Sequence, residues 1–415
     1  MITLADCEAL DAQHDSAQAL GRRFAAGEPD TLYFDANSIG PMPLDAPARM
    51  AAVLDQGWRL ARRRSWNQAD WLQQPRALGA ALAPVIGVGR GDVVVCDSTS
   101  INQYKLLRHA LAVAAPRRVV VVEREVLPSN RYIAQGLVKA GLCELRLIAN
   151  AADLPAALAQ GDVAVVALSH VDYRSSERLD LAALTAQAHA QGALTLWDLS
   201  HSAGALAMDL MAADVDFAVA SGYKYLCGGP GAPALLVVHP RWQNAAWPAL
   251  CGWMGHADTF AMAADHQPAP GVARHLVGTP AVLANAAFAA AADIWRSADM
   301  ALLDWRHGSL GDTLIALLDQ QCAALGIEVM SPRDTARRGG HVAVRFAAPD
   351  ADVSALGQAL VAARVVVSTR RPDALRFGLH PLTTRHAELW HGVVRLREIL
   401  ETGRWRAPEF SGLTV

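Results

Sequence analysis

The sequence predicts an α/β fold: a large domain with a mostly parallel, seven-stranded sheet between helices, then a smaller α+β C-terminal domain. Three observations carry this. The chain has 415 residues, 52% of them hydrophobic, enough to bury a sizeable core and to divide into two domains. From about residue 90 to 240, short apolar runs alternate with helical stretches. After Gly278-Thr279-Pro280 the texture changes to an Ala-rich helical stretch followed by shorter strands.

The strand candidates of the large domain are Val93–Asp97, Arg118–Val122, Leu145–Ala149, Val163–Leu168, Ala193–Asp198, Val215–Ala220 and Ala234–Val238. Their aliphatic residues run continuously, as expected of strands buried on both faces. Helical stretches separate several of them, for example Leu179–Gln191, closed by Gly192. In such sheets ligands bind beyond the carboxyl ends of the strands. Downstream, helices are expected near 281–297, 309–324, 352–363 and 384–401, with strands around 327–330, 341–346, 365–368 and 374–378. The first 30 or so residues read as a helical arm, followed by an irregular segment through Pro43. The expected division is therefore 1–45, 46–280 and 281–415.

Net charge is only −3, with no block of like charges, so neither a nucleic acid nor an anionic membrane has electrostatic support as a partner. No apolar run approaches the roughly 18 residues of a membrane span, and the opening Met1-Ile2-Thr3-Leu4 carries no export signal. Six scattered cysteines without Cys-x-x-Cys pairing suit a reducing cytoplasm. Lysine occurs only at 105, 139 and 224; nearly every other basic residue is arginine. Arginine cannot act as an amine nucleophile, so the three lysines are the places to look for one.

Lys224 lies just past the strand candidate Val215–Ala220, in Tyr223-Lys224-Tyr225-Leu226-Cys227-Gly228-Gly229-Pro230-Gly231, a glycine-rich loop that allows close approach to a phosphate-bearing cofactor. Asp198 ends the strand Ala193–Asp198, with His201 three residues on. A buried carboxylate needs a cationic partner. The protonated ring nitrogen of pyridoxal 5'-phosphate (PLP) is such a partner, and that ion pair makes PLP an electron sink. Asp97-Ser98-Thr99-Ser100 opens the helix that follows the first strand, where hydroxyls and backbone N–H groups make a phosphate site. An ordinary N-cap accounts for one of these hydroxyls but not for three.

These residues resemble kynureninase. The resemblance runs from Leu10-Asp11-Ala12 to the last helix. Its most specific pieces are Tyr33-Phe34-Asp35-Ala36-Asn37-Ser38-Ile39-Gly40, Arg64-Ser65-Trp66-Asn67, Trp197-Asp198-Leu199-Ser200-His201, Tyr223-Lys224-Tyr225-Leu226, Gly252-Trp253-Met254-Gly255-His256 and Arg376-Phe377-Gly378. It implies a fold-type-I, aspartate-aminotransferase-like homodimer. This enzyme uses PLP to hydrolyse the Cβ–Cγ bond of the amino acid L-kynurenine, or its 3-hydroxy form, to anthranilate (or 3-hydroxyanthranilate) and L-alanine. By resemblance Lys224 carries the cofactor as a Schiff base and moves the Cα proton. Asp198 holds the pyridinium, His201 supports it and Ser169 lies near the ring. Thr99, Ser100 and Tyr223 bind phosphate, and Tyr223 relays a proton. Trp253 and Thr279 are implied as phosphate contacts from the partner subunit. Arg376 is implied to clamp the α-carboxylate, a task suited to a bidentate donor. Asn37, Ser38 and Trp66 are implied at the aryl end.

The family pattern is not followed throughout. Leu127 and Asn130 stand where kynureninases usually carry Phe, which stacks on the cofactor ring, and Asp. Cys227, Ser368 and Thr383 stand in place of Asn, Asp and Tyr. Alternative readings are a paralogue acting on another β-keto or β-substituted amino acid, and a non-catalytic protein on the same fold. A cysteine desulfurase would need a mobile cysteine at the cofactor. A metal hydrolase has no recognisable ligand set, since His386 and His391 are off a common helix face.

Overall fold

The computed structural model describes residues 1–13, 15–348 and 350–410. After two short helices, Leu4–Asp11 and Asp15–Gly21, the chain forms the strand β1 (Leu32–Tyr33). The large sheet follows: β2 (Val93–Cys96), β3 (Val119–Glu123), β4 (Glu144–Ile148), β5 (Val163–Ser169), β6 (Leu194–Asp198), β7 (Phe217–Ala220) and β8 (Ala234–Val238). All seven expected strands are present and pair in one sheet, in the order β2-β8-β7-β6-β5-β3-β4. Strands β4, β3, β5, β6 and β7 pair parallel. Strand β8 runs antiparallel to both β7 and β2, so β2 points the same way as the parallel set.

Alternate residues of these strands face opposite layers. Val93, Val95, Val119, Val121, Leu235 and Val237 pack in one core with Leu82, Phe288 and Trp295. Val94, Val120, Val122, Leu236 and Val238 pack in another with Leu106, Leu107 and Leu137. Both faces are covered by helices, which explains why the strands read as unbroken apolar runs.

The remaining strands are β9 (Ile327–Val329), β10 (His341–Phe346), β11 (Val365–Val366), β12 (Ser368–Arg370) and β13 (Ala374–Gly378). Four of them form an antiparallel sheet in the order β12-β13-β10-β9, while β11 pairs parallel with β1. The expected strand at 365–368 is thus split between two sheets. The helix expected at 309–324 spans Met300–Gln321, because the Asp299 side chain caps the backbone N–H groups of Ala301 and Leu302. Helices Met300–Gln321, Val353–Ala362 and His386–Glu401 cover the small sheet around a core of Leu310, Val342, Leu356, Phe377 and Leu389. Cys7, Leu32 and Phe34 belong to that same core. Asp11 caps the far helix, accepting from the backbone N–H of His386 (2.9 Å) and of Ala387 (3.0 Å). No described helix is long and apolar enough to cross a membrane.

Candidate active site

Because β2 and the parallel set point the same way, their carboxyl ends share one edge, and that edge carries most of the residues singled out in the sequence. Asp198 ends β6, Ser169 ends β5, and Lys224 lies four residues beyond β7. Both Asp198 and Lys224 are buried, yet no ion pair joins them. Asp198 is held from its sides: the Asn130 amide donates to Oδ2 (2.9 Å) and the Ser200 backbone N–H to Oδ1 (2.9 Å). The same amide reaches Ser169 Oγ at 3.4 Å. Leu127 is half-buried and starts the helix Pro128–Lys139 that delivers Asn130.

Lys224 Nζ stands 2.9 Å from His201 Nε2. Burial drives its pKa down to about 8; Asp198 pulls it back up, while Arg376 and Arg370 push it down further. Burial, with Lys224 next in weight, also holds His201 well below its ordinary value, so the imidazole is neutral. Its Nδ1 has no hydrogen-bond partner. The loop carrying Lys224 is clamped by close approach. Gly40 donates its N–H to the Tyr223 carbonyl (2.8 Å), and a Cβ on Gly40 would lie 2.2 Å from the Lys224 carbonyl oxygen. Cys227 has φ +59°, a left-handed conformation to which Asn is better suited. An Asn at this position would meet that backbone requirement more easily. Here the thiol compensates by donating to the Tyr225 carbonyl (3.1 Å) and packing 3.1 Å from His380 Nε2. Burial pushes the Cys227 thiol far up, which argues against a desulfurase-type nucleophile.

A cavity of about 600 Å³ opens beside this loop, lined by Asp97, Ser98, Thr99, Ser100, Tyr223 and Thr279 among others. The Ser98 hydroxyl accepts the Ile101 N–H (3.3 Å) and is the helix cap, which leaves Thr99 and Ser100 in the first turn of the helix Thr99–Val113. Thr279 stands on this wall in the same chain as Thr99 and Ser100. Trp253 is exposed and packs against Phe260 with ring centroids 6.0 Å apart.

Arg376, on β13, is fully buried. It donates from Nη1 to the Tyr173 carbonyl and from Nη2 (2.9 Å) and Nε (3.2 Å) to Ser368 Oγ. Asp35 faces this arginine. Burial raises its carboxyl above the usual range, while the hydroxyls of Ser368 and Ser38, then Arg376 and Arg370, pull it back. Ser38 is thus tied to Asp35, by a 2.8 Å hydrogen bond. Asn37 is buried with neither amide atom partnered. Trp66 joins none of these contacts: its ring sits edge-on to Trp71, with centroids 5.2 Å apart.

The sequence reading missed Arg370, His341 and Asp35 as neighbours of Lys224 and Arg376. Arg370 influences Lys224, His201 and Arg376 alike. Its signal was the Arg370-Arg371 pair beside a strand whose partner carries Arg376. His341 gave no signal along the chain.

The chain is 42% identical to the kynureninase of Pseudomonas fluorescens over 417 residues, covering 99% of this chain and 98% of the relative. The chain belongs to the kynureninase family. The kynureninase of Burkholderia pseudomallei (strain 1106a) is 41% identical, covering 97% of each chain. The family description "kynureninase C-terminal domain" matches residues 305–396. Among solved structures, a variant of C-DES with glycine covalently linked to its PLP cofactor superposes with TM-score 0.75 at 21% identity, covering 89% of this chain and 97% of that one. The cysteine desulfurase CsdA of Escherichia coli gives TM-score 0.75 at 17% identity, covering 92% of this chain and 99% of that one. These two likenesses establish the fold-type-I architecture. Within it, kynureninases carry the sequence likeness across the whole chain.

Proposed function

We propose that the protein is a PLP-dependent hydrolase that cleaves the Cβ–Cγ bond of L-kynurenine, or of 3-hydroxykynurenine, in tryptophan catabolism. The products are anthranilate, or 3-hydroxyanthranilate, and L-alanine. The whole-chain likeness to kynureninases favours this substrate over the paralogue reading. The observation that carries it in the structure is Lys224: a buried amine with a depressed pKa, beside a neutral imidazole and held apart from a buried aspartate.

The residues fit the cofactor. Asp198 receives only hydrogen bonds from Asn130 and Ser200, so the carboxylate lacks a cationic partner. His201 presents a free Nδ1, and the cavity beside Tyr223 carries hydroxyls at a helix N-terminus. Bound PLP supplies an electron sink for charge developing at Cα and Cβ. Lys224 would carry it and move the Cα proton, and burial, which disfavours the ammonium form, lowers its pKa to about 8 and so makes the free amine far easier to reach than in an ordinary lysine. Asp198 would pair with the ring nitrogen, with His201, Ser169, Asn130 and Leu127 around the ring. Thr99, Ser100 and Tyr223 would hold the phosphate, with Trp253 and Thr279 reaching it from the partner subunit. Tyr223 stays a neutral phenol, since burial and then Asp198 raise its pKa, and can relay a proton. Arg376 holds the α-carboxylate; Asn37, Ser38 and Trp66 line the aryl end.

The reading extends to a cytoplasmic homodimer whose active site is shared across the interface, and to a division into residues 1–45, 46–280 and 281–415. The test is a substrate panel of kynurenine, 3-hydroxykynurenine and alanine and cysteine analogues, with products identified by mass spectrometry. Anthranilate (or its hydroxy form) and L-alanine are expected. Normal PLP binding without either product refutes the reading. Borohydride reduction followed by peptide mapping should fix the cofactor on Lys224; a label on Lys105 or Lys139 moves the site.

A further inference from the structure

Three buried side chains near Lys224 leave five polar atoms without partners: Asn37 Oδ1 and Nδ2, His201 Nδ1, and both ring nitrogens of His341. They are neighbours. The His341 ring lies 5.6 Å from that of His201, centroid to centroid, and His201 Nε2 is 2.9 Å from Lys224 Nζ. Across the small sheet His341 is the direct register partner of Gly378. Directly opposed residues project to the same face, and a Cβ on Gly378 would lie 2.0 Å from Asn37 Oδ1. The Asn37 amide therefore occupies the side-chain space of position 378, on the face to which His341 projects. Arg376 is two residues from Gly378 along β13 and projects to that face as well.

Buried imidazoles and amides are normally hydrogen-bonded, because stripping them of water without replacement is costly. Three adjacent ones left open, beside the amine that defines the reacting carbon, mark a place for a ligand. Burial, reinforced by Arg376, holds the His341 ring well below the ordinary histidine value and so neutral; only the Arg174 carbonyl, outside hydrogen-bond geometry, pulls the other way. A neutral imidazole offers one N–H donor and one acceptor. An aromatic ketone with an ortho amine presents the complement: a carbonyl oxygen that accepts and an amine that donates.

We propose that His341, together with Asn37, binds the acyl-aryl end of the substrate, while Arg376 on the same face takes the α-carboxylate. This rests on the kynurenine-cleaving reading above. The test compares two reactions of the holoenzyme, kynurenine cleavage and exchange of the L-alanine α-proton for deuterium. The second needs Lys224, Asp198 and Arg376 but no group beyond Cβ. In His341→Phe, kcat/KM for kynurenine should fall at least tenfold more than the alanine exchange rate, with His341→Gln recovering most of the loss through its amide donor and acceptor. His341→Leu serves in the same way if the phenyl ring prevents folding. Parallel losses in both reactions, or equal defects in Phe and Gln variants, overturn the proposal alone. A wild type that exchanges L-alanine protons and never cleaves kynurenine overturns the reading of function, and this proposal with it.

Discussion

Two of the three lysines are buried, and each has an aspartate at the carboxyl end of a strand of the same sheet, Asp97 directly after β2 and Asp198 closing β6. Lys105 has closed on its partner. It forms an ion pair with Asp97 and also donates to the His275 carbonyl (2.8 Å) and to Asn102 Oδ1 (3.2 Å). All three of its N–H donors are used, so the group is structural. Lys224 touches only a neutral imidazole, while Asp198 takes its hydrogen bonds from Asn130 and Ser200. Burial is common to both lysines; what differs is whether the charges were allowed to meet. A buried lysine kept from its counter-ion gives up its proton more readily, and an aspartate kept from its lysine retains a charge for something else to neutralise.

The largest expected effect tests that contrast directly. Lys224→Ala should cost on the order of a thousandfold or more in turnover, the scale for removing a positioned acid–base group, with no borohydride-fixed cofactor. Lys105→Met should do the reverse, keeping the label while destabilising the fold by about 3 kcal/mol, the lower end for breaking a buried pair, since Asp97 is 33% exposed. Denaturant unfolding and labelling together decide it; a Lys105→Met variant that loses the label collapses the distinction. Next comes Asp198→Asn. An amide cannot hold a ring nitrogen protonated, so turnover should drop on the order of a hundredfold or more while cofactor absorbance is partly kept. Near-normal turnover means that Asp198 serves only to order the Ser200 turn.

The two lysine sites also differ in how far the sequence exposed them. The scarcity of lysine singled out Lys224, and unbroken apolar runs gave the strands that carry Asp198 and Ser169, because both are local patterns. What escaped depends on contacts between distant segments. The pairing of β1 with β11 joins residues more than 300 positions apart. Asp35 is brought beside Arg376 by its own bridge to Gly378 of β13, again more than 300 positions away. His341 is the first residue of β10, an interior strand of the small sheet, and nothing beside it along the chain marks it as a neighbour of Lys224. The run Ser98-Thr99-Ser100 was legible as polar, but which hydroxyl caps the helix required the backbone. Cys227 could be noticed as a departure; its cost, a left-handed φ, could not.

Arg376→Lys probes whether the small sheet contributes a second fixed charge. The guanidinium spends three N–H donors on Tyr173 and Ser368, so a lysine would lose the brace as well as the bidentate geometry. A loss of about 2–4 kcal/mol in kcat/KM, carried mainly by KM, is expected. An unchanged KM moves the carboxylate site, with Arg370 the nearest replacement.

A smaller effect follows from protonation. In cofactor-free protein the Lys224 pKa is about 8, against 10.5 unperturbed. Below pH 8 folded and unfolded chains both carry the proton, and the fold bears the full cost of burying it. Between about 8 and 10.5 the unfolded chain binds more protons, so stability rises with pH. The stability of wild type relative to Lys224→Met should therefore climb through that window and level off above it. A flat difference means that Lys224 is solvated and the contrast with Lys105 is one of partners only.

The smallest effects belong to the cofactor ring's surroundings. Leu127→Phe should gain about 0.5–1.5 kcal/mol from offset stacking on the bound ring, seen as tighter PLP retention with little change in turnover. Asn130→Asp alone should behave differently, because Asn130 is the donor that fixes Asp198 Oδ2 at 2.9 Å. Replacing that donor with a second carboxylate forces the two groups to share a proton whenever no cation lies between them. Cofactor-free Asn130→Asp should then lose stability as pH rises from 5 to 8, and bound PLP, with its pyridinium, should relieve much of that loss. The two positions share the ring as neighbour, so the double variant should not equal the sum of the singles. If Asn130→Asp is stable without cofactor across that range, Asp198 already has cationic compensation in the folded chain. The aspartate of the Lys224 site would then be as closed as that of Lys105.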